Sequence, residues 1–275
     1  MSLRAGSACY LDLDGTLLGR GASLLHDGDG GVSLQGARAV EACLRADVEV
    51  VLMSGRGRGS VAEDARLFGQ SSFIYEAGCV LVFEGEEQWL TGEFVPGELT
   101  VHEQIAASGA PALLLEHYEG RLEYHEPWSA GREVSHLFRG LLDAAEADDL
   151  LRARGHADLR LVDNGVVHHR SQALTALPVV RAYHLIPAGA SKAAAVSRHM
   201  RARGLSREAA FAIGDSREDL AVAEHVSSFW VVANALERDP SIREALRGHE
   251  NVRIAEEAYG AGVYEAVITT LMERR

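Results

Sequence analysis

The sequence predicts a doubly wound α/β core interrupted by a smaller α+β unit, on three observations. Apolar runs alternate with helical segments in the first third of the chain, and the same alternation returns near its end. The stretch between them carries closely spaced strand-like runs that suit antiparallel pairing. Finally, Asp12-Leu13-Asp14-Gly15-Thr16 stands directly behind the apolar run Ala8-Cys9-Tyr10-Leu11, where a buried strand would end in a tight turn.

In chain order, Ala8 to Leu13 reads as a strand and Leu34 to Arg45 as a helix. Val48 to Met53 is a second apolar strand. Ser60 to Phe68 reads as a helix, opened by a capping box between Ser60 and Glu63. Ser72 to Tyr75 is a third strand. Further on, Val80 to Phe83, Ala112 to Tyr118, Arg121 to His125, Leu159 to Asp163 and Val179 to Tyr183 read as strands, with a helix from Leu141 to Arg154. Ser191 caps an alanine-rich helix that stops at Gly204. Ala209 to Ile213 and Phe229 to Val232 are strands flanking a helix from Glu218 to His225, and a last amphipathic helix lies around Tyr264 to Met272. This divides the chain into a core, residues 1–79 and 185–275, and an inserted unit, residues 80–184.

Four stations sit just behind predicted strands or at helix starts, where open α/β sheets keep their chemistry. At the first, Asp12 suits a nucleophile, because a carboxylate can attack phosphorus. Asp14, two residues on, would protonate the leaving oxygen and deprotonate the attacking water. The plainer reading is a turn, since Asp-Gly is a common turn pair. The second station, Ser54-Gly55-Arg56-Gly57-Arg58-Gly59, offers a hydroxyl and free N–H groups to phosphate oxygens, with Arg56 as a further contact; as a mobile loop it needs no ligand. It lacks both the dinucleotide fingerprint and the P-loop ending. The third is Lys192, a cation in a first helical turn, disfavoured by about 0.3–1 kcal/mol unless an anion lies there or the side chain is exposed. The fourth is Gly214-Asp215-Ser216-Arg217-Glu218-Asp219. Asp215 with the acids after it offers oxygen ligands to Mg²⁺, although a capping box from Ser216 to Asp219 would account for those two residues alone.

Composition narrows the function classes. The chain has 275 residues and a net charge of −13, which argues against a nucleic-acid surface and requires a cation and local basic groups beside any phosphate. No apolar run is long enough to span a bilayer, and Met1 to Ser7 has no secretory pattern. Cys9, Cys43 and Cys79 form no CxxC and suit packed thiols in a reducing compartment, so a cytoplasmic location is expected. The histidines, including His168 and His169, show no ligand spacing.

Together and in this order, the four stations resemble the motifs of the haloacid dehalogenase superfamily: Asp-x-Asp-Gly-Thr at Asp12 to Thr16, a Ser at Ser54, a Lys at Lys192, and Gly-Asp with a further acid at Asp215 and Asp219. The insertion between Ser54 and Lys192 resembles the large α/β cap of the Cof-type branch. Smaller echoes are Ser54-Gly55-Arg56, Gly189-Ala190-Ser191-Lys192 and Ala233-Asn234-Ala235. The resemblance implies a Rossmann-like core with a cap domain. It implies Mg²⁺ held by Asp12, the backbone carbonyl of Asp14 and Asp215, with Asp219 direct or through water. Ser54, Gly55, Lys192 and Arg56 would bind the phosphoryl group. Two departures stand out: Glu76-Ala77-Gly78 where the branch often has Glu-Asn-Gly, and Glu218 where it often has Asn before the last acid, which puts extra negative charge beside the metal.

The expected activity is Mg²⁺-dependent hydrolysis of a small phosphorylated metabolite, a sugar phosphate or phosphorylated organic acid, through an aspartyl phosphate. The alternatives are a phosphomutase or phosphotransferase and a catalytically inactive binding module. A dehalogenase fits less well, since halide loss has no use for Asp14. No nucleic-acid or membrane partner is expected, and a chain of this size can work as a monomer. Specificity is expected on the loops 92–97, 126–132 and 164–172, with His169 and Arg170 either as contacts or as an exposed pair.

Overall fold

The structure, a computed structural model, describes residues 6–167 and 171–274. Its strands are β1 (Ser7–Asp12), β2 (Val48–Met53), β3 (Phe73–Tyr75), β4 (Val80–Phe83), β5 (Glu86–Trp89), β6 (Leu122–Tyr124), β7 (His136–Gly140), β8 (Leu159–Val166), β9 (Arg181–Pro187), β10 (Ala210–Gly214), β11 (Ser228–Val231) and β12 (Val252–Ile254). The large sheet has the order β12-β11-β10-β1-β2-β3-β4-β5, parallel as far as β3 and closed by an antiparallel hairpin. The smaller sheet, β6-β7-β9-β8, is antiparallel throughout.

The apolar runs are continuous because the parallel sheet is covered on both faces. Successive residues of a strand point oppositely, and β1 uses both directions. Cys9 meets Cys43 on the helix Gln35–Arg45. Tyr10 reaches the opposite layer, its hydroxyl 2.8 Å from His199 Nδ1 on the helix Lys192–Arg203. The three cysteines are free, buried thiols, as expected.

The order of the sheet reverses at β1: β2 and β3 build outward on one side, β10 to β12 on the other. That reversal opens a crevice at the carboxyl end of β1. Register does the rest. Asp12 pairs with Met53, so Ser54 follows at the same level; Leu11 pairs with Ile213, so Asp215 emerges just beyond.

Several expectations need correction. Ala112 to Tyr118 is no strand: a helix runs Ala110–His117, started by Gly109 with Pro111 in its first turn. A short apolar run has no periodicity to separate the two, and the proline was the better signal. The helix Arg58–Leu67 starts two residues before Ser60, with Gly57 as its cap and no side-chain cap hydrogen bond, so the Ser60–Glu63 box does not form. The hairpin β4–β5 belongs to the large sheet, so a boundary at residue 79 cuts that sheet, while β9 carries the smaller sheet to Pro187. We propose that the inserted unit is better bounded after Trp89 and after Pro187. Among the described residues no helix is long and apolar enough to cross a membrane.

Candidate active site

Two glycines let the chain close around the end of β1. Gly15 turns with φ +86°, and a side chain there would collide with the Asp215 carboxylate and the Arg238 guanidinium. Asn234 steadies this turn by donating through Nδ2 to the Gly15 carbonyl at 2.7 Å. Gly78, at φ +91°, lies against the backbone of Ser191 and Lys192 and so seats the start of the helix Lys192–Arg203. Ser191 caps that helix, its Oγ accepting from Ala194 N at 3.0 Å.

Lys192 is buried, not exposed, with 1 % of its surface accessible. Its ammonium donates to Asp12 Oδ1 at 2.8 Å and to Asp219 Oδ1 at 2.6 Å. Burial alone would lower its pKa, but the two carboxylates outweigh that and hold it above the ordinary lysine range. Two carboxylates are therefore what offsets the unfavourable place of this cation at a helix start.

Asp12, Asp215 and Asp219 each present a carboxylate oxygen within 4.8 Å of the others. Burial, against the pull of Lys192 and with repulsion from Asp219, pushes Asp12 up to about 7. Asp215 is raised well above the usual range by burial and then by Asp12 and Asp219, with Arg238 opposing from 3.1 Å. Three carboxylates thus face two cations. Hard oxygen donors with an unbalanced negative charge fit a divalent cation such as Mg²⁺, whose charge would favour the ionised forms.

Asp219 has a second employment. Its Oδ2 accepts from Asp215 N at 3.2 Å, Ser216 N at 3.0 Å and Ser216 Oγ at 2.7 Å, while Asp219 N donates to Ser216 Oγ at 3.2 Å. The capping box is real, and it fixes the loop that carries Asp215. Glu218, expected to add charge beside a metal, turns instead to Arg160, which donates to its Oε1 at 3.2 Å. That acid is paired.

Asp14 is half-exposed and faces Arg56, which donates to its two oxygens through Nε and Nη2, both at 2.6 Å. A further bond from Arg56 reaches Asp64 at 3.2 Å. Arg56, expected to meet phosphate, is thus engaged by acids. Ser54 is buried, with its Oγ accepting from Arg56 N at 3.1 Å.

Asp12, Asp14, Ser54, Gly55, Arg56, Lys192, Asp215 and Asp219 all line one cavity of about 1270 Å³ between the two sheets. From the inserted unit come Trp128, Arg132, Asn164 and His184. The loops 126–132 and 164–167 therefore reach the wall, whereas none of residues 92–97 does. His169 and Arg170, with His168, lie outside the described residues.

Sequence reading missed Glu76, Arg132 and Arg238. Glu76 is fully buried, and its carboxylate accepts from the N–H groups of Glu133, Val134 and Ser135 at 2.8, 3.1 and 2.5 Å and from Ser135 Oγ at 2.8 Å. It ties the inserted unit to the end of β3. Arg238, half-buried, links Asp215 to the carbonyl of Val166 at 2.6 Å. The Glu76-Ala77-Gly78 triplet was the available signal for the first, and Arg132 closes the loop 126–132 on which specificity is expected; nothing local pointed to Arg238.

No family model matches the chain. It is 28 % identical over 84 % of its length, and 85 % of the relative's, to a phosphoglycolate phosphatase of Archaeoglobus fulgidus. A second phosphoglycolate phosphatase, of Methanoculleus marisnigri, is 25 % identical over 93 % of each chain. Among solved structures, the sucrose-phosphatase of Synechocystis in complex with sucrose and phosphate covers 96 % of this chain and 97 % of its own, with a TM-score of 0.68 at 14 % identity. A haloacid dehalogenase-like hydrolase of Bacteroides thetaiotaomicron covers 96 % and 99 %, with a TM-score of 0.60 at 16 % identity. The chain has the fold of haloacid dehalogenase-like hydrolases. Both curated relatives are phosphatases.

Proposed function

We propose that this chain is a member of the haloacid dehalogenase superfamily and a cytoplasmic, Mg²⁺-dependent phosphomonoesterase acting on a small phosphorylated metabolite through an aspartyl phosphate on Asp12. The observation that carries the reading is Lys192 buried between Asp12 and Asp219 at the switch point of the sheet, with Asp14 two residues on and open to the same cavity. A carboxylate kept beside a buried ammonium can meet an anionic phosphoryl group without prohibitive repulsion.

Asp12 and Asp215 would hold the cation with the backbone carbonyl of Asp14, and Asp219 would contribute through water, since both its oxygens already accept hydrogen bonds. When bound, Mg²⁺ would neutralise charge on the transferring phosphoryl oxygens. Lys192, Ser54 Oγ and the N–H of Gly55 would bind those oxygens, with Arg56 joining them once the substrate displaces it from Asp14. Asp12 attacks phosphorus as the leaving oxygen takes a proton from Asp14. Asp14, now a carboxylate, deprotonates the water that cleaves the aspartyl phosphate, and free phosphate leaves. The inserted unit excludes bulk water meanwhile.

The test is phosphate release from a panel of sugar phosphates and phosphorylated acids, phosphoglycolate included, with Mg²⁺ and with chelator, and with Asp12→Asn as blank. Metal-dependent release that vanishes in the folded Asp12→Asn protein is expected. Release that persists in that variant overturns the nucleophile assignment, and isomerised sugar phosphate without free phosphate would make the enzyme a mutase.

A further inference from the structure

Arg132 stands apart from the other cations on the cavity wall. Lys192, Arg56, Arg181 and Arg238, the remaining buried or half-buried ones, each grip a carboxylate. Arg132 is 9 % exposed and has none within 4.0 Å among the described residues. Its Nε donates to Trp128 O at 2.9 Å, and its Nη1 donates to Gly55 O at 2.9 Å and to Ser135 Oγ at 3.0 Å. All three acceptors are neutral. Nη2 makes no hydrogen bond among the described residues, and Arg132 lines the cavity.

Partial compensation comes at one remove, because Ser135 Oγ donates to Glu76. That relay orients the guanidinium and leaves its outer edge unspent. His184, on the same Ser135 hydroxyl at 3.3 Å, brings no rival charge, since burial and then Arg132 keep it neutral. A desolvated, pre-oriented guanidinium with spare N–H groups is a binding group for a planar anion.

We propose that Arg132 binds a carboxylate on the leaving group and so selects short phosphorylated hydroxy acids over sugar phosphates. This rests on the phosphatase reading above. Chain length follows from position: Gly55, whose carbonyl Arg132 holds, is the neighbour of Ser54, so the second anion lies only a few bonds from phosphorus. A carboxylate suits one cation, and Arg132 is the buried guanidinium of this wall without a carboxylate partner among the described residues, Arg20 and Arg217 being exposed.

The experiment compares 2-phosphoglycolate with ethyl phosphate, which replaces the carboxylate by a methyl group, on the full chain and on Arg132→Met and Arg132→Lys. The wild type is expected to favour phosphoglycolate about 10- to 100-fold in kcat/KM, mostly through KM. In Arg132→Met the ratio of the two falls toward one, and Arg132→Lys recovers part of it. Equal losses on both substrates, with the ratio kept, would make Arg132 a purely structural tie and overturn the proposal, as would a wild type with no preference. If the wild type releases phosphate from sugar phosphates but from neither of these esters, the proposal is overturned; if it releases phosphate from nothing in the panel, the phosphatase reading fails by itself. Calorimetric binding of the same two compounds to Asp12→Asn, with and without Arg132→Met, then decides the carboxylate contact: tighter phosphoglycolate binding that Arg132→Met abolishes supports it, and equal affinities overturn it.

Discussion

Lys192 and Asp219 meet at 2.6 Å with both side chains shut away from solvent. Asp219 also braces the Ser216 turn, so one carboxylate sets both the ammonium and the loop of Asp215. Removing one partner of a buried pair leaves the other charge uncompensated. Asp219→Ala is expected to cost about 3–5 kcal/mol in urea unfolding. A loss below about 1 kcal/mol, the size of an exposed pair, would contradict that account.

The Arg56–Asp14 contact has better geometry but more solvent. Asp14's side chain is 53 % exposed, so the pair is worth about 0–1 kcal/mol despite its two short bonds. Arg56→Ala should therefore leave the unfolding midpoint nearly unchanged while lowering kcat/KM by roughly tenfold, the effect of one lost charged hydrogen bond. Unaltered kinetics would confine Arg56 to holding Asp14.

Asp215 is checked through the cation. It carries a raised pKa from burial and from two neighbouring acids, and Asp215→Asn removes one of three crowded charges. Its stability should hold or rise, while the Mg²⁺ concentration for half-maximal activity climbs at least tenfold, a shift of about 1.4 kcal/mol. Unchanged metal dependence would remove Asp215 from the ligand set.

How far the molecule could be read in advance divides along contact distance. β1, β2 and β10 were legible because each is an apolar run flanked by turn residues, and their parallel register alone brings Asp12, Ser54 and Asp215 to one level. Lys192 was legible as a misplaced charge. Glu76 was not, because its meaning lies in three N–H groups more than fifty residues away. Arg132 and Arg238 owe their roles to partners on the opposite unit. The helix Ala110–His117 was misread because three consecutive leucines hide the period.

A pH effect on stability follows from His136, which is buried in the inserted unit. Burial, and then His102 stacked on it at 3.8 Å, lower its pKa to about 4. Its Nδ1 accepts from the Tyr124 hydroxyl at 3.1 Å and its Nε2 donates to His102 O at 3.0 Å, which satisfies the neutral ring. The unfolded chain takes up this proton near pH 6.5 and the folded one only near 4, so stability is full above 6.5 and falls as pH drops between those values. Between pH 7 and 5 the loss from this ring is about 2 kcal/mol. Urea midpoints of the wild type and His136→Gln at both pH values check it: a variant with the same pH slope would exonerate the ring.

The contacts between the two units fall into unlike sets. On one side the chain crosses beside Cys79, whose carbonyl accepts from Leu90 N at 2.8 Å, and Glu76 is clasped nearby by backbone. Across the cavity the joins are made by arginines: Arg181 to Asp239 at 2.7 Å and Arg238 to Val166 O at 2.6 Å. The first set is anchored on a buried carboxylate, and the second combines one ion pair with an arginine–carbonyl bond. Dissolved salt reaches neither set well, since the Arg181 and Asp239 side chains are only 18 % and 13 % exposed and partly buried pairs are screened little. The junction of the two units thus keeps its charges out of reach of the ions around it.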